Sequence, residues 1–361
     1  RALLDHLRPR ELLGLTATPE RGDGADVRTF FGGRTAAELR VWDAIDAGLL
    51  SPFHYFGIAD NTVLTRVRWQ RGRYDEAELS RLYTGNTARA ALVVEQVRDK
   101  ILDPLSMRAL GFCVSVEHAR YMAEVFRGVG IPAAAVSATT SSADRSAAIS
   151  DLRAGRLAVL FAADLFNEGI DIPEVDTLLF LRPTESPSLF LQQLGRGLRL
   201  TRDKDVLTVL DFVGQNRADF RLDLRYRALT GATTTGVRHQ IERGFPHLPS
   251  GSQIVLDQVT REAALKNAQR FVRMRWQQLV NELRAHPTQD LSRFLADSGA
   301  DLGQVLKRSW TRLRLDADVL RGSLDDREEK LLRRVRAFSH VDDRRRADAY
   351  RRLLLGQPQP G

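Results

Sequence analysis

Between residues 106 and 230 the chain alternates short apolar runs with runs of helical periodicity, and that alternation leaves it few folds. Strands are expected at 108–114, 132–136, 157–162, 176–181 and 206–212, and helices at 117–128, 142–153, 187–194 and 216–229. Leu157-Ala158-Val159-Leu160-Phe161 carries no polar alternation. A strand of that kind is buried on both faces, as in a parallel sheet with helices above and below. The connections are short, and the βαβα order gives the α/β class. Ser141 and Asp144 stand at capping-box spacing before the second helix.

The flanking regions divide the chain further. Residues 1–58 are expected to close an earlier α/β lobe, with a strand at Leu12–Thr16, a helix start at Thr18-Pro19, a helix from Ala36 to Ala47 and a strand from Phe53 to Ile58. Residues 59–105 are polar and mixed and are expected to connect the lobes, with a helix at Thr87–Leu102. The main lobe then spans 106–232. Residues 231–258, rich in Thr, Gly and Pro, are expected to be a linker or an irregular packed segment. From 259 onward the chain turns helical. Leu265, Ala268, Val272, Trp276, Leu279 and Leu283 recur at spacings of three and four and make one apolar stripe. Shorter helices are expected at 289–297 and 302–315 and a longer one near 326–354, so 233–361 is a linker plus a mainly α-helical domain.

Charge sharpens this division. Residues 1–260 hold 32 basic and 32 acidic side chains, whereas 261–361 hold 22 and 14, the whole of the net +8. A basic last third on a neutral body suits either a polyanion partner or an Arg-rich solvated helical surface. The helix at 261–284, with Arg270 and Arg273 mostly off its apolar stripe, is the better candidate for salt-sensitive phosphate contacts. Leu291–Leu295, Ser298-Gly299 and Leu302–Lys307 could form a helix-turn-helix. Trp276, Trp310 and Phe338 could stack on bases, although aromatics at helical spacing more often build cores. Cys113 is the only cysteine, which excludes a disulfide framework and a thiolate zinc site and fits a reducing cytoplasm. No apolar run approaches the ~18 residues of a membrane span. The chain begins at Arg1 within a helix-like run and is expected to be a piece of a longer protein.

Three motifs carry chemistry. Gln192-Gln193-Leu194-Gly195-Arg196-Gly197-Leu198-Arg199 sets two arginines three residues apart around glycines, an arrangement suited to a phosphate chain. Asn167-Glu168-Gly169-Ile170-Asp171-Ile172-Pro173 places Asp171 before a proline that biases Ile172 away from helix. Gly14-Leu15-Thr16-Ala17-Thr18-Pro19-Glu20-Arg21 puts two hydroxyls at a strand end. In this order, with Leu110–Ser115 and Glu117-His118-Ala119, they resemble motifs VI, V, III and IV of superfamily 2 helicases. The resemblance is to the DEAD/DEAH-like branch that holds excision-repair helicases and type III restriction translocase subunits. It is strong over 10–230 and weaker beyond.

That resemblance implies RecA-like lobes and an ATP-dependent helicase or translocase using ATP and Mg2+, both bound mainly by a preceding first lobe. It implies that Arg196 and Arg199 are arginine fingers and that Gln192 positions nucleotide or water. It further implies that Asp171 bonds the ribose, that Gly169 and Gly195 permit close approach, and that Glu168 links the loop to the nucleic-acid path. Thr16 and Thr18 would couple the ATP site to nucleic acid, and Ser115 would touch the phosphate backbone. His118 is expected on a helix surface. Ala163-Asp164 stands where many relatives have Thr-Asp, which removes a hydroxyl from that loop. The chain contains no G-x-x-x-x-G-K-[ST] loop and no Asp-Glu-x-His or Asp-Glu-Ala-Asp stretch. It is therefore expected to hydrolyse no ATP alone. The Thr-Ala-Thr-Pro-Glu-Arg form resembles the DNA-acting branch. Two rivals remain open: a translocase serving a restriction nuclease without unwinding, and a non-enzymatic nucleic-acid-binding module.

Overall fold

The structure, a computed structural model, describes residues 11–14, 31, 36–37, 39, 41–70, 73–163, 172–184, 186–217, 220–230, 234–272, 276–285, 287–298, 300, 302–334 and 348–352. The chain divides into two compact units, Arg1–Gln269 and Arg270–Gly361.

The first unit is built on a seven-stranded sheet. In chain order its strands are β1 (Phe53–Val63), β4 (Ala109–Phe112), β5 (Ala133–Val136), β6 (Val159–Ala162), β7 (Thr177–Phe180), β8 (Leu207–Gln215) and β9 (Gln253–Leu256). β2 (Trp69–Gln70) and β3 (Arg73–Tyr74) form a separate antiparallel pair. The order across the sheet is β5-β6-β4-β7-β8-β1-β9, and every pairing in it is parallel. The α/β class expected from sequence is therefore present.

Helices cover both faces, and the strands show why. Side chains alternate across a strand, so Leu110, Phe112, Leu160, Leu178, Phe180 and Val209 enter one core while Ala109, Val159, Phe161, Leu179, Leu210 and Phe212 enter the other. The second core is closed by α3 (Thr87–Lys100) through Ala90, Val93, Val94 and Val97, and by α4 (Val116–Gly128) through Ala119, Met122, Ala123 and Phe126. The first is closed by α5 (Ser142–Arg153), α6 (Pro187–Gly197), α7 (Leu222–Thr230), α8 (Thr234–Arg243) and α9 (Gln258–Val272). It also takes Ile45 from α1 (Val41–Asp46) and Leu79 and Tyr83 from α2 (Glu76–Tyr83). Gly111 lies opposite Phe161 in the ladder, and a Cβ there would enter the Phe161 ring. The Ser141 cap forms: Ser141 Oγ accepts from the Asp144 amide at 3.1 Å and donates to Asp144 Oδ2 at 2.8 Å, so the carboxylate meets the hydroxyl.

Two expected boundaries are corrected. The division at 58/59 falls inside one strand, since β1 runs from Phe53 to Val63 and pairs along its length with β8. It belongs to the sheet of the 106–232 region, with β9 on its other side. Apolar pattern gives a strand but not its partners, and this one pairs with a strand some 150 residues later. The expected linker at 231–258 contains α8 and β9. Val237 and Ile241, four apart on α8, are buried in the first core, so tertiary packing overrides the weak helix propensity of Thr and Gly.

In the second unit, α10 (Trp276–Ala285), α11 (Leu291–Ser298), α12 (Leu302–Val305) and α13 (Trp310–Asp316) enclose a small core of Leu279, Val280, Leu283, Phe294, Val305 and Leu313. The single stripe expected from Leu265 to Leu283 is therefore shared between two cores: Ala264 and Ala268 pack in the first unit, Leu279 and Leu283 in the second. Trp276 and Trp310 pack against this small core, and Trp276 Nε1 donates to Asp316 at 2.8 Å. Ser309 caps α13, which divides the helix expected at 302–315. α14 (Asp326–Arg334) is strongly charged. Phe338 lies outside the described residues.

Candidate functional site

The arginine motif lies on α6 and its extension. Ser186 caps the helix by accepting from the Leu189 amide, and Pro187 fills its first turn, where no amide partner is lost. Phe190, Leu194 and Leu198 follow at spacings of four, are fully buried, and pin the helix to the sheet. Gln192, Gly195, Arg196 and Arg199 lie beside this seam and are half-buried. Gly197 is the glycine that permits close packing, since a Cβ there would enter Leu207. Gly195 differs: apart from its chain neighbours and its own helix backbone, nothing lies within 4 Å of where its Cβ would stand, so the space there is open.

The segment carrying the arginines is anchored through its backbone. Lys204 Nζ donates to the Gly197 carbonyl at 2.9 Å. The Ser51 amide donates to Leu198 O at 2.8 Å, and Ser51 Oγ donates to Arg199 O at 3.3 Å. Three successive carbonyls at a helix end, which no helical amide can reach, are thus satisfied by residues far away in sequence. The same Lys204 ammonium donates to Pro173 O at 3.1 Å and Val175 O at 3.0 Å. One cation therefore joins the tail of the Asn167–Pro173 motif to the end of the Gln192–Arg199 motif. Burial holds the Lys204 pKa down to about 8, opposed by Asp176 and Glu174 and assisted by Arg199.

The loop entering α6 is held from both sides of the sheet. Arg89 on α3 pairs with Asp60 at 2.8 Å, both buried, and its Nη2 donates to Leu181 O at 3.1 Å. Arg225 on α7 pairs with Asp211 on β8 at 2.5 Å and donates to Thr184 O at 3.3 Å. Its guanidinium also lies over the Phe190 ring of α6, 5.9 Å from the centroid. Asp211 accepts a further bond from the Tyr55 hydroxyl. Burial, then the Asp211 carboxylate, pushes the Tyr55 pKa well above the usual phenol value.

Two expectations are corrected here. Ser115 is buried and caps α4: its Oγ accepts from the His118 amide at 3.1 Å and pairs with Ser80 Oγ at 2.6 Å. Its hydroxyl is committed inside the fold and does not offer a phosphate-backbone contact. The motif pattern showed the loop but not α2, which supplies Ser80. His118 is buried, not on the surface. Its Nδ1 accepts from the Val114 amide at 3.3 Å, its ring lies 5.4 Å from that of Tyr83, and burial followed by the Arg89 charge lowers its pKa to about 3.

Thr16, Thr18, Glu168, Gly169, Asp171 and Arg273 lie outside the described residues. Arg270 is placed on α9 only as a backbone position. Lys204, Ser51, Arg89 and Arg225 were not singled out from the sequence; in an arginine-rich chain each reads as a surface residue. Among the described residues no group of three His, Cys, Asp or Glu side chains could hold a metal ion, so no magnesium site is assigned to them. None of the described helices is long and apolar enough to cross a membrane.

Comparison with known proteins places the fold. Residues 94–201 match the family described as helicase conserved C-terminal domain. Residues 94–201 therefore carry a helicase conserved C-terminal domain, and the chain is similar to the C-terminal part of superfamily 2 helicases. It is 27% identical over 220 residues to "Putative ATP-dependent helicase IRC3" of Saccharomyces cerevisiae, covering 59% of this chain and 32% of that protein. It is 33% identical over 92 residues to DNA 3'-5' translocase XPB2 of Sulfurisphaera tokodaii, covering 26% and 20%. Among solved structures it is similar to the fragment of "a putative HsdR subunit of a type I restriction enzyme" from Vibrio vulnificus YJ016, with 22% identity, TM-score 0.49, and coverage of 70% of this chain and 45% of that one. The chain spans less than half the length of the curated relatives it matches.

Proposed function

We propose that this chain is the second-lobe and C-terminal part of an ATP-dependent helicase or translocase that acts on DNA. Arg196 and Arg199 present guanidinium groups to the triphosphate held by a preceding lobe, and Gln192 positions nucleotide or water beside them. The convergence of two motif ends on Lys204 carries this reading, because it holds the half-buried arginine segment beside the tail of the Asp171 motif. The open space at Gly195 leaves room for a phosphate group next to Arg196. Phosphoryl transfer requires charge stabilisation more than covalent help from protein groups, and a facing lobe supplies that charge only on closure, which couples turnover to motion. ATP supplies the transferable phosphoryl group; the residues named here bind and orient it. The preceding lobe would hold Mg2+, and Gly169 and Asp171 would receive the ribose. DNA is favoured by the Thr-Ala-Thr-Pro-Glu-Arg motif and by the likeness to XPB2, a DNA translocase by name.

The test is Arg196→Lys in the protein with its preceding lobe intact. Lysine keeps the charge and loses the planar fork. Nucleic-acid-stimulated ATP hydrolysis is expected to fall ~10³-fold or more, with DNA binding by fluorescence anisotropy unchanged. Undiminished turnover would remove Arg196 from the site.

A further inference from the structure

Lys204 lies outside all the recognised motifs, yet it is the point at which two of them meet. It follows α6 by seven residues, in the turn before β8, and is 6% exposed. Its three ammonium protons match three carbonyl acceptors: Gly197 O at 2.9 Å, Val175 O at 3.0 Å and Pro173 O at 3.1 Å. An ammonium has three donors and no acceptor, so a cradle of three carbonyls uses all of it. The acceptors come from two separate stretches, Pro173–Val175 before β7 and the last residue of α6. Arg196 precedes that last residue directly and Arg199 follows it by two.

We propose that Lys204 is a positioning residue of the nucleotide site, fixing the spacing between the Pro173–Val175 segment and the turn that carries Arg196 and Arg199. The inference rests on the reading of Arg196 and Arg199 given above. Lys204 touches no phosphate in this role. It acts by keeping two backbone segments in register, and Ser51 holds the next two carbonyls from the other side. Displacing a catalytic group by ~1 Å can cost about 10²-fold in rate, so loosening the junction acts mainly on turnover.

The proton count gives a signature that a merely structural lysine lacks. A neutral amine has two N–H groups for three carbonyls, so one bond is lost as Lys204 deprotonates. Glu174 and Asp176 on the 172–176 segment favour the charged form, whereas burial and the Arg199 charge oppose it. Asp203 and Asp205 flank Lys204 in sequence. With a pKa near 8, turnover falls above that pH while binding of nucleotide changes little.

The experiment uses the protein with its preceding lobe and three variants. Lys204→Met is expected to lower kcat for ATP hydrolysis about 10- to 100-fold, with KM for ATP within about threefold of the parent. Lys204→Arg, which cannot deprotonate in this range, is expected to keep more activity than Lys204→Met and to lose the alkaline limb of the pH profile. Arg196→Lys runs alongside. If Arg196→Lys abolishes turnover while Lys204→Met stays within about threefold of the parent, the Lys204 inference fails alone. If neither variant changes turnover, the reading of the site fails first. Should Lys204→Met not fold, hydrogen exchange of the Lys204 ammonium is measured by NMR in the unsubstituted protein. Ammonium protons protected from solvent exchange support the cradle, and protons that exchange as fast as those of an exposed lysine overturn it.

Discussion

The two faces of the sheet are filled by different means. The face under α3 and α4 is closed by Val93, Val97, Met122, Phe126 and Phe161, with His118 the buried titratable group on α4. The face under α6 and α7 encloses the Asp211–Arg225 ion pair and the Tyr55 hydroxyl among its apolar side chains. An ion pair in a core is a weak source of stability, because desolvation offsets most of the attraction. On this face the groups spend that cost on backbone: Arg225 holds Thr184 O at the entry to α6, and Lys204 holds Gly197 O at its exit. The face under α3 and α4 also carries a buried ion pair, Arg89–Asp60, which holds Leu181 O at the start of the loop. The face under α6 and α7 holds the helix itself, at its entry and at its exit.

The strongest way to break this comparison is to remove one buried side chain from each core. Arg225→Met leaves Asp211 buried without its partner and is expected to cost about 3–5 kcal/mol. Phe161→Ala on the opposite face is expected to cost a similar ~3–5 kcal/mol through the cavity it leaves. The distinction lies in turnover by the folded fraction at low temperature, which Arg225→Met lowers and Phe161→Ala leaves near parental. Denaturant melts paired with ATPase assays decide it, and equal effects on turnover would erase the contrast between the faces.

A smaller effect tests the face under α3 and α4 through pH. His118 titrates near 3 in the folded protein and near 6.5 when unfolded. Between those values the unfolded chain holds more protons, so stability falls as the solution is acidified from about pH 7. The loss by about pH 5 is expected to be ~2 kcal/mol and to be absent from His118→Gln. Chemical denaturation at the two pH values measures it. The smallest effect sharpens the other face: Ser186→Ala removes the exposed cap of α6 and is expected to cost ~1 kcal/mol, read as a shift in denaturation midpoint.

Legibility in the sequence followed how local the physics is. The strands of the 106–230 region and the helix 142–153 could be read because their patterns complete themselves within a few residues, as does the Ser141 cap. The position of β1 between β8 and β9 could not, because pairing partners are set by the whole sheet. The arginine segment was visible through its glycines and spacing. What seats it was hidden: Lys204, Arg225 and Ser51 acquire their roles only when burial leaves them carbonyls for partners. Ser115 and His118 were misjudged for the same reason, since each sits beneath a neighbour supplied by the helix at 76–83.

Ser51 stands two residues before the first strand of the sheet, between that strand and α1. Its amide and its hydroxyl both grip the backbone just beyond α6. A pull passed on from α1, itself seated in the first core, is therefore delivered to the arginine-bearing turn before it loads any rung of the β ladder.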